Sequence, residues 1–342
     1  MKTIILNQPE QFQLISREFN DELSENEVLL KIHRIGICGT DYHAYRGKQP
    51  FFSYPRVLGH ELGAEIVALG KNVDSTQLKI GDKVSVEPYL NCGKCQACSN
   101  GKTNCCENIR VMGVHIDGGM TEYVKIPANK VHPSEILGYE DLALVETLAI
   151  GAHAVQRAGL SSNDIVMVIG AGPIGLSVIQ FAKLHKAKIA VMDFNAQRLE
   201  FAQQLFQTDV SIQAKADYST DDLRKDLNGV LPTVIFDATG NPQSMMKAFS
   251  YCAFGGKLIY VGLFQGDVTF FDPDFHKREL TLMGSRNAMA SDFKMIIENM
   301  EKGNIDTKAW LTHTADFEDL PLVFNTWLDP QSQVIKAMLS IS

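Results

Sequence analysis

The sequence predicts an α/β protein that combines a β-rich first part with a parallel, doubly wound sheet. Two patterns support this fold class. Short apolar segments separated by glycines extend to about residue 148, and from about residue 165 onward apolar strand segments alternate with helical patterns. Frequent turns between short strands are typical of a barrel or sandwich, whereas an alternating strand–helix series is typical of a parallel sheet covered by helices.

Three segments of the first part alternate loosely between apolar and polar residues, as half-buried strands do. These predicted strands are Val28–Ile35, Glu65–Leu69 and Lys83–Val86. Glycines at 59, 63, 70 and 81 separate them and indicate turns.

The middle part contains six predicted strands: Ile165–Ile169, Lys188–Asp193, Val210–Ile212, Thr233–Asp237, Lys257–Gly262 and Leu280–Gly284. Helical patterns fill several of the intervals. Asn195 is a predicted N-cap, and a further helix is predicted over Pro242–Ala253. In the last part, a helix is expected to start near Ser291 and to end at Gly303.

Length, composition and charge restrict the function classes. The chain has 342 residues, of which 45% are apolar and 21% charged, so it is an ordinary globular sequence, and its length suggests about two domains. The net charge of −8 offers no basic surplus for nucleic acid.

The uncharged stretch from 165 to 182 has glycines and a proline near its middle, which indicates a turn rather than a membrane span. The N-terminal apolar run is too short for a secretory signal. We therefore expect a cytoplasmic protein that binds neither nucleic acid nor membrane.

The seven cysteines are unevenly distributed, and five of them lie between residues 92 and 106. An odd number at short spacings favours metal binding over a disulfide framework. Cys92, Cys95, Cys98 and Cys106 follow a C-x2-C-x2-C-x7-C pattern that suits a closed, structural zinc site. An iron–sulfur cluster is the alternative, and spacing alone does not decide whether Cys105 or Cys106 is the fourth ligand.

A second potential metal set is dispersed along the chain. Cys38, His60, Glu61 and Glu146 offer one thiolate, one imidazole and one or two carboxylates. Such a set fits zinc with a position left for water or substrate. Taken singly, Cys38 is equally well explained as a small core residue, His60 as a hydrogen-bonded loop residue, and the carboxylates as surface groups.

A glycine-rich turn predicts a dinucleotide site. The sequence Gly170-Ala171-Gly172-Pro173-Ile174-Gly175 follows a predicted strand and opens a predicted helix, which is the context that makes this pattern informative. The helix N-terminus would bind the pyrophosphate. Asp193 ends the next strand, where it can accept hydrogen bonds from ribose hydroxyls, so NAD is favoured. Arg198 lies nearby in the sequence and could accommodate a 2′-phosphate, so NADP is the alternative.

Together these motifs resemble the zinc-dependent medium-chain dehydrogenases, most of all their polyol and threonine dehydrogenase branch. The resemblance covers nearly the whole chain. It rests on motifs that occur in the family's order: Cys38-Gly39-Thr40-Asp41-x-His43, Gly59-His60-Glu61, the four-cysteine loop, Gly118-Gly119-x-x-Glu122-Tyr123 and Gly170–Gly175. The segments 50–61 and 284–287 are also similar to bacterial sugar-acid dehydrogenases.

The resemblance implies a Rossmann domain, residues 149–286, inserted in a GroES-like β-barrel catalytic domain, residues 1–148 and 287–342. It implies two zinc ions per subunit, with Cys38, His60 and Glu61 at the catalytic one. Glu146 would ligate that zinc directly or through water. Thr147 stands where the family usually has proline, which puts the geometry of this loop in question. Asp41 would orient His60 from outside the ligand set.

The resemblance also implies the reaction. Zinc would favour loss of a proton from a bound alcohol, hydride would pass to the nicotinamide, and Thr40 and His43 would relay the proton to solvent. For His43, an exposed helix residue without such a role is the alternative. Gly170, Gly172, Pro173, Ile174, Gly175, Asp193, Arg198 and Gly262 would contact the cofactor.

For the substrate, the resemblance points to Arg286, because a guanidinium can bind a carboxylate bidentately. This predicts oxidation of a secondary alcohol of a sugar acid, with Phe52 and His115 as further pocket residues. For these two, a packing or surface role is the alternative. Arg286 is also compatible with a surface or interdomain role. A neutral polyol or L-threonine dehydrogenase is the closest alternative, and a non-catalytic nucleotide-binding protein is a remote one.

We further expect a homo-oligomer, either a dimer or a tetramer. The segment Val268–Phe271 is a candidate strand for pairing across subunits, since an exposed apolar edge needs covering. Alternatively, it leads into a helical turn near Asp274.

Overall fold

The computed structural model describes residues 1–50 and 52–341 and divides into two compact units. Unit 1 comprises Met1–Thr147 and Ala288–Ser342, and unit 2 comprises Leu148–Asn287. Each of these boundaries lies one residue from the predicted one.

The strands, in chain order, are β1 (Lys2–Gln8), β2 (Gln11–Ser16), β3 (Glu27–Ile37), β4 (Glu61–Leu69), β5 (Lys83–Val86), β6 (Tyr89–Leu90), β7 (Arg110–Val111), β8 (Tyr123–Pro127), β9 (Val131–Pro133), β10 (Ile165–Ile169), β11 (Lys188–Asp193), β12 (Val210–Gln213), β13 (Val234–Asp237), β14 (Lys257–Tyr260), β15 (Thr281–Gly284), β16 (Leu311–Asp316) and β17 (Lys336–Ser340). The α-helices are α1 (Gly39–Tyr45), α2 (Gln96–Ser99), α3 (Tyr139–Ala158), α4 (Pro173–Leu184), α5 (Ala196–Phe206), α6 (Thr220–Asp226), α7 (Pro242–Tyr251), α8 (Asp272–Lys277), α9 (Ala290–Glu301) and α10 (Leu320–Trp327). Short 3₁₀ turns lie at Thr103–Cys105, Ala128–Lys130, Lys308–Trp310, Phe317–Asp319 and Pro330–Ser332.

Unit 1 is built on a seven-stranded sheet in the order β16-β17-β3-β4-β5-β9, with β8 also paired to β3. Only β16 and β17 run parallel to each other; the other pairs are antiparallel. The central strand β3 contains the predicted strand Val28–Ile35. A register shift between Ile32 and Arg34 changes its alternation, so that both Ile32 and Ile35 are fully buried. Beyond this shift Gly36 lies opposite Glu61, which sets the position of the candidate metal site.

Unit 2 contains a six-stranded sheet in the order β12-β11-β10-β13-β14-β15, with every pair parallel. This is the predicted doubly wound sheet, and all six predicted strands are present with ends that differ by at most two residues. The largest difference is at β14, which ends at Tyr260. There the amides of Val261 and Gly262 both donate to the carbonyl of Asp237, each at 2.9 Å, so the chain turns away from the sheet.

The predicted helices also form. The Asn195 side chain caps α5 by accepting hydrogen bonds from the amides of Gln197 and Arg198. Helix α7 ends two residues before the predicted Ala253, because the backbone of Cys252 is extended (φ −74°, ψ 140°). Helix α9 covers the region predicted from Ser291 onward.

In the single chain, Val268–Phe271 forms no strand and leads into α8, as the second of the two predicted alternatives has it. Pairing of this segment across subunits stays a prediction. Phe270 stacks on Phe249 with ring centroids 4.8 Å apart, and it also packs against Phe275 at 4.8 Å. Phe249, Phe270 and Phe275 thus form an aromatic group within unit 2.

No helix within the described residues is both long and apolar enough to cross a bilayer. The glycine-containing stretch from 165 to 182 instead forms β10, a turn and part of α4.

A buried ion pair anchors the segment between β5 and β6. The carboxylate of Glu87 accepts hydrogen bonds from the Lys130 ammonium and lies 3.4 Å from Nε2 of His132. The His132 ring stacks on Phe293, with centroids 5.0 Å apart. This network fixes the backbone two residues before Tyr89, which contacts the candidate metal site.

We therefore expect Lys130→Met to lower the free energy of unfolding by about 3–5 kcal/mol, because it leaves the carboxylate of Glu87 buried without its cation. Chemical denaturation measures this. Lys2→Met is the matched control: it removes an exposed ion pair with Glu318, which should not measurably change stability. Equal effects of the two substitutions would contradict the prediction.

Candidate metal and dinucleotide sites

Strand pairing brings three predicted metal ligands together. Cys38 follows β3 and precedes α1, while His60 and Glu61 lie at the start of β4, the neighbouring strand. One ligand atom from each side chain lies within 4.8 Å of those of the other two. Cys38 is partly buried, and His60 and Glu61 are buried. Residues far apart in a loop-rich sequence thus form one compact donor set.

The carboxylate of Glu61 has two different environments at its two oxygens. Oε1 accepts a hydrogen bond of 2.7 Å from the Thr147 hydroxyl and another from the Lys336 ammonium. Lys336 also donates to the carbonyl of Ile37 at 3.2 Å. Oε2 is buried without a hydrogen-bond partner. A buried carboxylate oxygen left unpaired is costly, so a cation beside the Cys38 thiol and the His60 ring fits this donor set.

Gly36 provides the room for that carboxylate. A Cβ atom at this position would lie 2.1 Å from Oε2 of Glu61, which is an impossible contact. The glycine is required here by the close approach of a side chain from the next strand and not by an unusual backbone conformation.

Asp41 lies beside His60, as expected, but at 3.8 Å between Oδ1 and Nδ1, which is beyond hydrogen-bond distance. Its other oxygen, Oδ2, accepts a hydrogen bond of 2.9 Å from the amide of Cys38. Burial acts to lower the pKa of His60, but the neighbouring Cys38 and Asp41 outweigh it and raise that pKa well above its ordinary value. Burial raises the pKa of Asp41. Asp41 is therefore an electrostatic neighbour of His60 that also fixes the Cys38 backbone.

Glu146, on α3, lies outside the group of three. Its Oε1 accepts a hydrogen bond from the Tyr89 hydroxyl, and both residues are buried. Burial raises the pKa of Glu146, although the nearby His60 acts in the opposite direction. Burial and the Glu146 carboxylate also raise the pKa of Tyr89 well above its ordinary value, so its hydroxyl remains a donor. Whether Glu146 ligates a metal directly or through water stays a prediction.

The four-cysteine loop forms a second donor set. The sulfur atoms of Cys92, Cys95, Cys98 and Cys106 all lie within 4.8 Å of one another. Cys106 is buried and belongs to this set, whereas Cys105 is exposed and does not. Hydrogen bonds from the amides of Lys94 and Cys95 lower the pKa of Cys92. Backbone amides that stabilise a thiolate suit a metal site, because the thiolate is the ligand form.

In unit 2, the glycine turn has the geometry that the sequence indicates. Gly170 has φ +95°, and a Cβ at Gly175 would lie 1.7 Å from the Gly170 carbonyl oxygen. Gly172 is the N-cap of α4, and Pro173 opens the helix. Helix α4 therefore begins directly at the glycine turn, the arrangement in which helix N-termini bind phosphate groups.

Residues next to the glycine turn hold it in place and lie close to it. Asp193 accepts hydrogen bonds from the amides of Ala171 at 2.7 Å and Asn195 at 2.8 Å, so it holds the glycine turn to the next strand. Each carboxylate oxygen has a second acceptor site, and the expected bond to a ribose stays a prediction. Nη1 of Arg198 lies 3.6 Å from where a Cβ of Gly172 would be. Gly262 packs against Gly240, where a side chain would meet the Gly240 amide at 2.2 Å.

Two family profiles match the chain: the alcohol dehydrogenase GroES-like domain over residues 24–136 and the zinc-binding dehydrogenase domain over residues 173–302. L-Galactonate-5-dehydrogenase of Escherichia coli K12 is 41% identical over 99% of both chains. The chain belongs to the zinc-type alcohol dehydrogenases.

Other relatives agree with this assignment. Sorbitol dehydrogenase of Bacillus subtilis is 30% identical, over 99% of this chain and 97% of that protein. The crystal structure of an alcohol dehydrogenase, rspB, of Escherichia coli CFT073 complexed with the cofactor NADH superposes with a TM-score of 0.92. It is 32% identical and covers 100% of this chain and 99% of that one. The protein is thus a zinc-type dehydrogenase with a GroES-like and a Rossmann-type fold.

The remaining predicted site residues lie within single units. Thr40 and His43 are three positions apart on α1 of unit 1, so their side chains share one helix face. Burial, with Lys48 and Arg46, lowers the pKa of His43. Phe52 packs edge-on against Tyr54 with ring centroids 4.8 Å apart.

His115 and Arg286 were predicted for substrate binding. Nδ1 of His115, in unit 1, accepts a hydrogen bond of 3.1 Å from the amide of Val111. Arg286 follows β15 in unit 2. The substrate roles of Phe52, His115 and Arg286 stay predictions.

Sequence reasoning missed Tyr89 and Lys336. A single tyrosine between Pro88 and Leu90 and a lysine 275 positions away from its partner carry no local signal. It treated Thr147 only as a departure from the family's proline, whereas the hydroxyl of Thr147 is a donor to a predicted ligand.

The four-thiol geometry predicts that Cys106→Ser removes one zinc per chain and lowers stability, because three thiolates no longer close the tetrahedral site. Metal analysis of the purified protein and thermal unfolding measure both effects. Cys105→Ser is the control and should keep full zinc content; zinc loss from this variant instead would reverse the assignment of the fourth ligand.

Proposed function

We propose that this dehydrogenase uses zinc and NAD to oxidise a secondary alcohol of a sugar acid, an aldonate such as L-galactonate, to the keto acid. The observation that carries the proposal is the convergence of Cys38, His60 and Glu61 on one buried point. One thiol, one imidazole and one carboxylate leave room for a further ligand, as catalytic zinc sites do. The relative that is 41% identical supports the substrate class.

Zinc at this site would supply Lewis acidity that favours ionisation of a substrate hydroxyl, and NAD would supply the hydride acceptor. The protein's own residues hold and orient these groups. Cys38, His60 and Glu61 would hold the metal, with Glu146 either ligating it or hydrogen-bonding the group in the open position. The Tyr89 hydroxyl donates to Oε1 of Glu146, so Oε2 is the oxygen that would take this role.

Thr40 and His43 would carry the released proton. Their spacing on α1 supports a relay from a hydroxyl at the site to an exposed ring. The lowered pKa of His43 favours a neutral imidazole near pH 7, which can accept a proton.

The preference for NAD over NADP rests on Asp193, whose negative charge at the end of β11 would repel a 2′-phosphate. Arg198 is the residue that would favour NADP. The relative solved with NADH supports the first alternative.

A direct assay distinguishes an aldonate substrate from the alternative substrates. The reduction of NAD and of NADP is followed on aldonates, neutral polyols and L-threonine with protein of known zinc content. Selective turnover of aldonates with NAD supports the proposal. Sorbitol dehydrogenase of Bacillus subtilis, at 30% identity, keeps a neutral polyol as the second candidate. Zinc-loaded protein that is inactive on every substrate would favour a non-catalytic nucleotide-binding role.

The proposal also covers the oligomeric state and the cellular location of the protein. We propose a homo-oligomer that covers the free edge of β15, where Leu282 is exposed. We also propose a cytoplasmic location, because the odd number of cysteines and their short spacings favour metal binding over a disulfide framework.

Cys38→Ser is expected to abolish turnover while NAD still binds, because the thiolate is lost from unit 1 and the glycine turn of unit 2 is unchanged. NADH formation and calorimetric titration with NAD measure the two properties. Cys105→Ser, an exposed cysteine outside both donor sets, is the control and should remain active. A Cys38→Ser enzyme that turns over without zinc at this site would refute the proposed mechanism.

Arg286→Ala is expected to raise the KM for aldonates at least tenfold, the order of effect of losing a charged hydrogen bond, and to change the KM for neutral polyols much less. Steady-state kinetics on both substrate classes make the comparison, with Arg286→Lys as the variant that keeps the charge but not the bidentate geometry. Equal increases for both classes would rule out carboxylate recognition by Arg286.

A further inference from the structure

A fully buried cluster surrounds the carboxylate of Glu61. The Thr147 hydroxyl donates to Oε1 at 2.7 Å, and the Lys336 ammonium donates to the same oxygen. Glu61, Thr147 and Lys336 are only 1–2% exposed. Both donors therefore act on one oxygen of one carboxylate, away from solvent.

The other oxygen is left free for a different partner. Oε2 is buried without a hydrogen bond, and it occupies the space above Gly36 where a side chain cannot fit. Rotation of the carboxylate would break two hydrogen bonds to Oε1 at once. The contacts thus favour one orientation of the group.

We propose that Thr147 is a positioning residue that presents Oε2 of Glu61 to the metal. This inference rests on the proposed function, since it requires zinc at Cys38, His60 and Glu61. Thr147 contacts the ligand and not the substrate or the cofactor, so its role is exerted through Glu61.

Lys336 alone does not fix this orientation. Its ammonium is a point charge on a flexible stem, and it is shared with the carbonyl of Ile37. Thr147 lies inside the twenty-residue helix α3, where a β-branched side chain has few rotamers. The helix therefore restricts the directions from which this hydroxyl can approach Oε1. Helix α3 also carries Glu146 at the preceding position, so one rigid element sets both carboxylates.

The test substitution is Thr147→Val, which keeps the branched shape and removes the hydroxyl. We expect it to weaken zinc binding at the Cys38 site by about 10–100-fold, the usual effect of losing a partner of a metal ligand. Competition with a chromophoric chelator measures the affinity on the full chain with the four-cysteine site loaded. The visible spectrum of the cobalt-substituted protein reports on the ligand geometry independently of activity. Thr147→Ser restores a hydroxyl and should recover most of the affinity and the wild-type spectrum.

Thr307→Val is a matched control. Thr307 is also buried, and its hydroxyl donates to a carboxylate on α3, that of Asp141, at 2.8 Å. This bond does not involve the metal set, so its loss should leave zinc affinity and the cobalt spectrum unchanged.

The outcomes separate clearly. Thr147→Val with wild-type affinity and spectrum overturns the proposal. So does equal weakening by Thr147→Val and Thr307→Val, which would indicate general destabilisation, and so does failure of Thr147→Ser to restore binding. Should Thr147→Val not fold, a comparison of Thr147→Ala with Thr147→Ser tests the same role of the hydroxyl.

Gly36→Ala is an independent test of the orientation of the Glu61 carboxylate, because the added Cβ would displace Oε2. This substitution should weaken zinc binding, and unchanged binding would contradict the assigned orientation.

Failure of the proposed function gives a different result. In that case the wild-type chain itself would bind no zinc at the Cys38 site or would oxidise no alcohol. Wild-type protein that binds zinc and turns over, beside an unaltered Thr147→Val variant, would remove only the positioning role.

Discussion

The pairing of β3 with β4 is the constraint on which the candidate catalytic site depends. It places Gly36 opposite Glu61, so that a carboxylate can lie over a strand that has no side chain at this point. Cys38 follows two residues later and His60 precedes Glu61, so the same pairing brings the thiol and the imidazole together. A side chain at position 36 or a change of register by one residue would separate them, because neighbouring residues of a strand point to opposite faces.

The charges of this site are unbalanced in a way that suits a divalent cation. Cys38, Asp41, Glu61 and Glu146 can all carry negative charge, and three of these four residues are buried. Lys336 neutralises part of this charge through Glu61, and a raised pKa at His60 is the response of the imidazole to its anionic neighbours. Buried charges are tolerated where they are paired or bind metal. The unpartnered oxygen of Glu61 and the unpartnered Nδ1 of His60 lie within this same set.

The glycine turn and the four-cysteine loop, by contrast, depend mainly on the conformation of their own backbone. The turn at Gly170–Gly175 needs a positive φ at its first residue and a missing side chain at its last, and Asp193 ties its amide to the neighbouring strand. The four-cysteine loop presents main-chain amides to its sulfur atoms. Such features depend on residues close together in the chain. Motifs in the amino-acid sequence therefore predict them, down to the strand that precedes Gly170 and the N-cap at Asn195.

The sequence by itself determined the alternating order of the parallel sheet, the glycine turn and the four-cysteine set, because periodicity, turn residues and ligand spacing are local properties. The dispersed ligands Cys38, His60 and Glu61 were implied only by the resemblance to a family. The sequence left Cys105 and Cys106 equivalent, and it left Val268–Phe271 open between a strand that pairs across subunits and a lead into the following helix. Only the tertiary structure decided which groups surround those ligands: Lys336 reaches Glu61 from β17, Thr147 reaches it from α3, and Tyr89 reaches Glu146 from β6. These contacts join elements distant in the chain, and a buried carboxylate takes whichever donors the packed strands and helices bring to it.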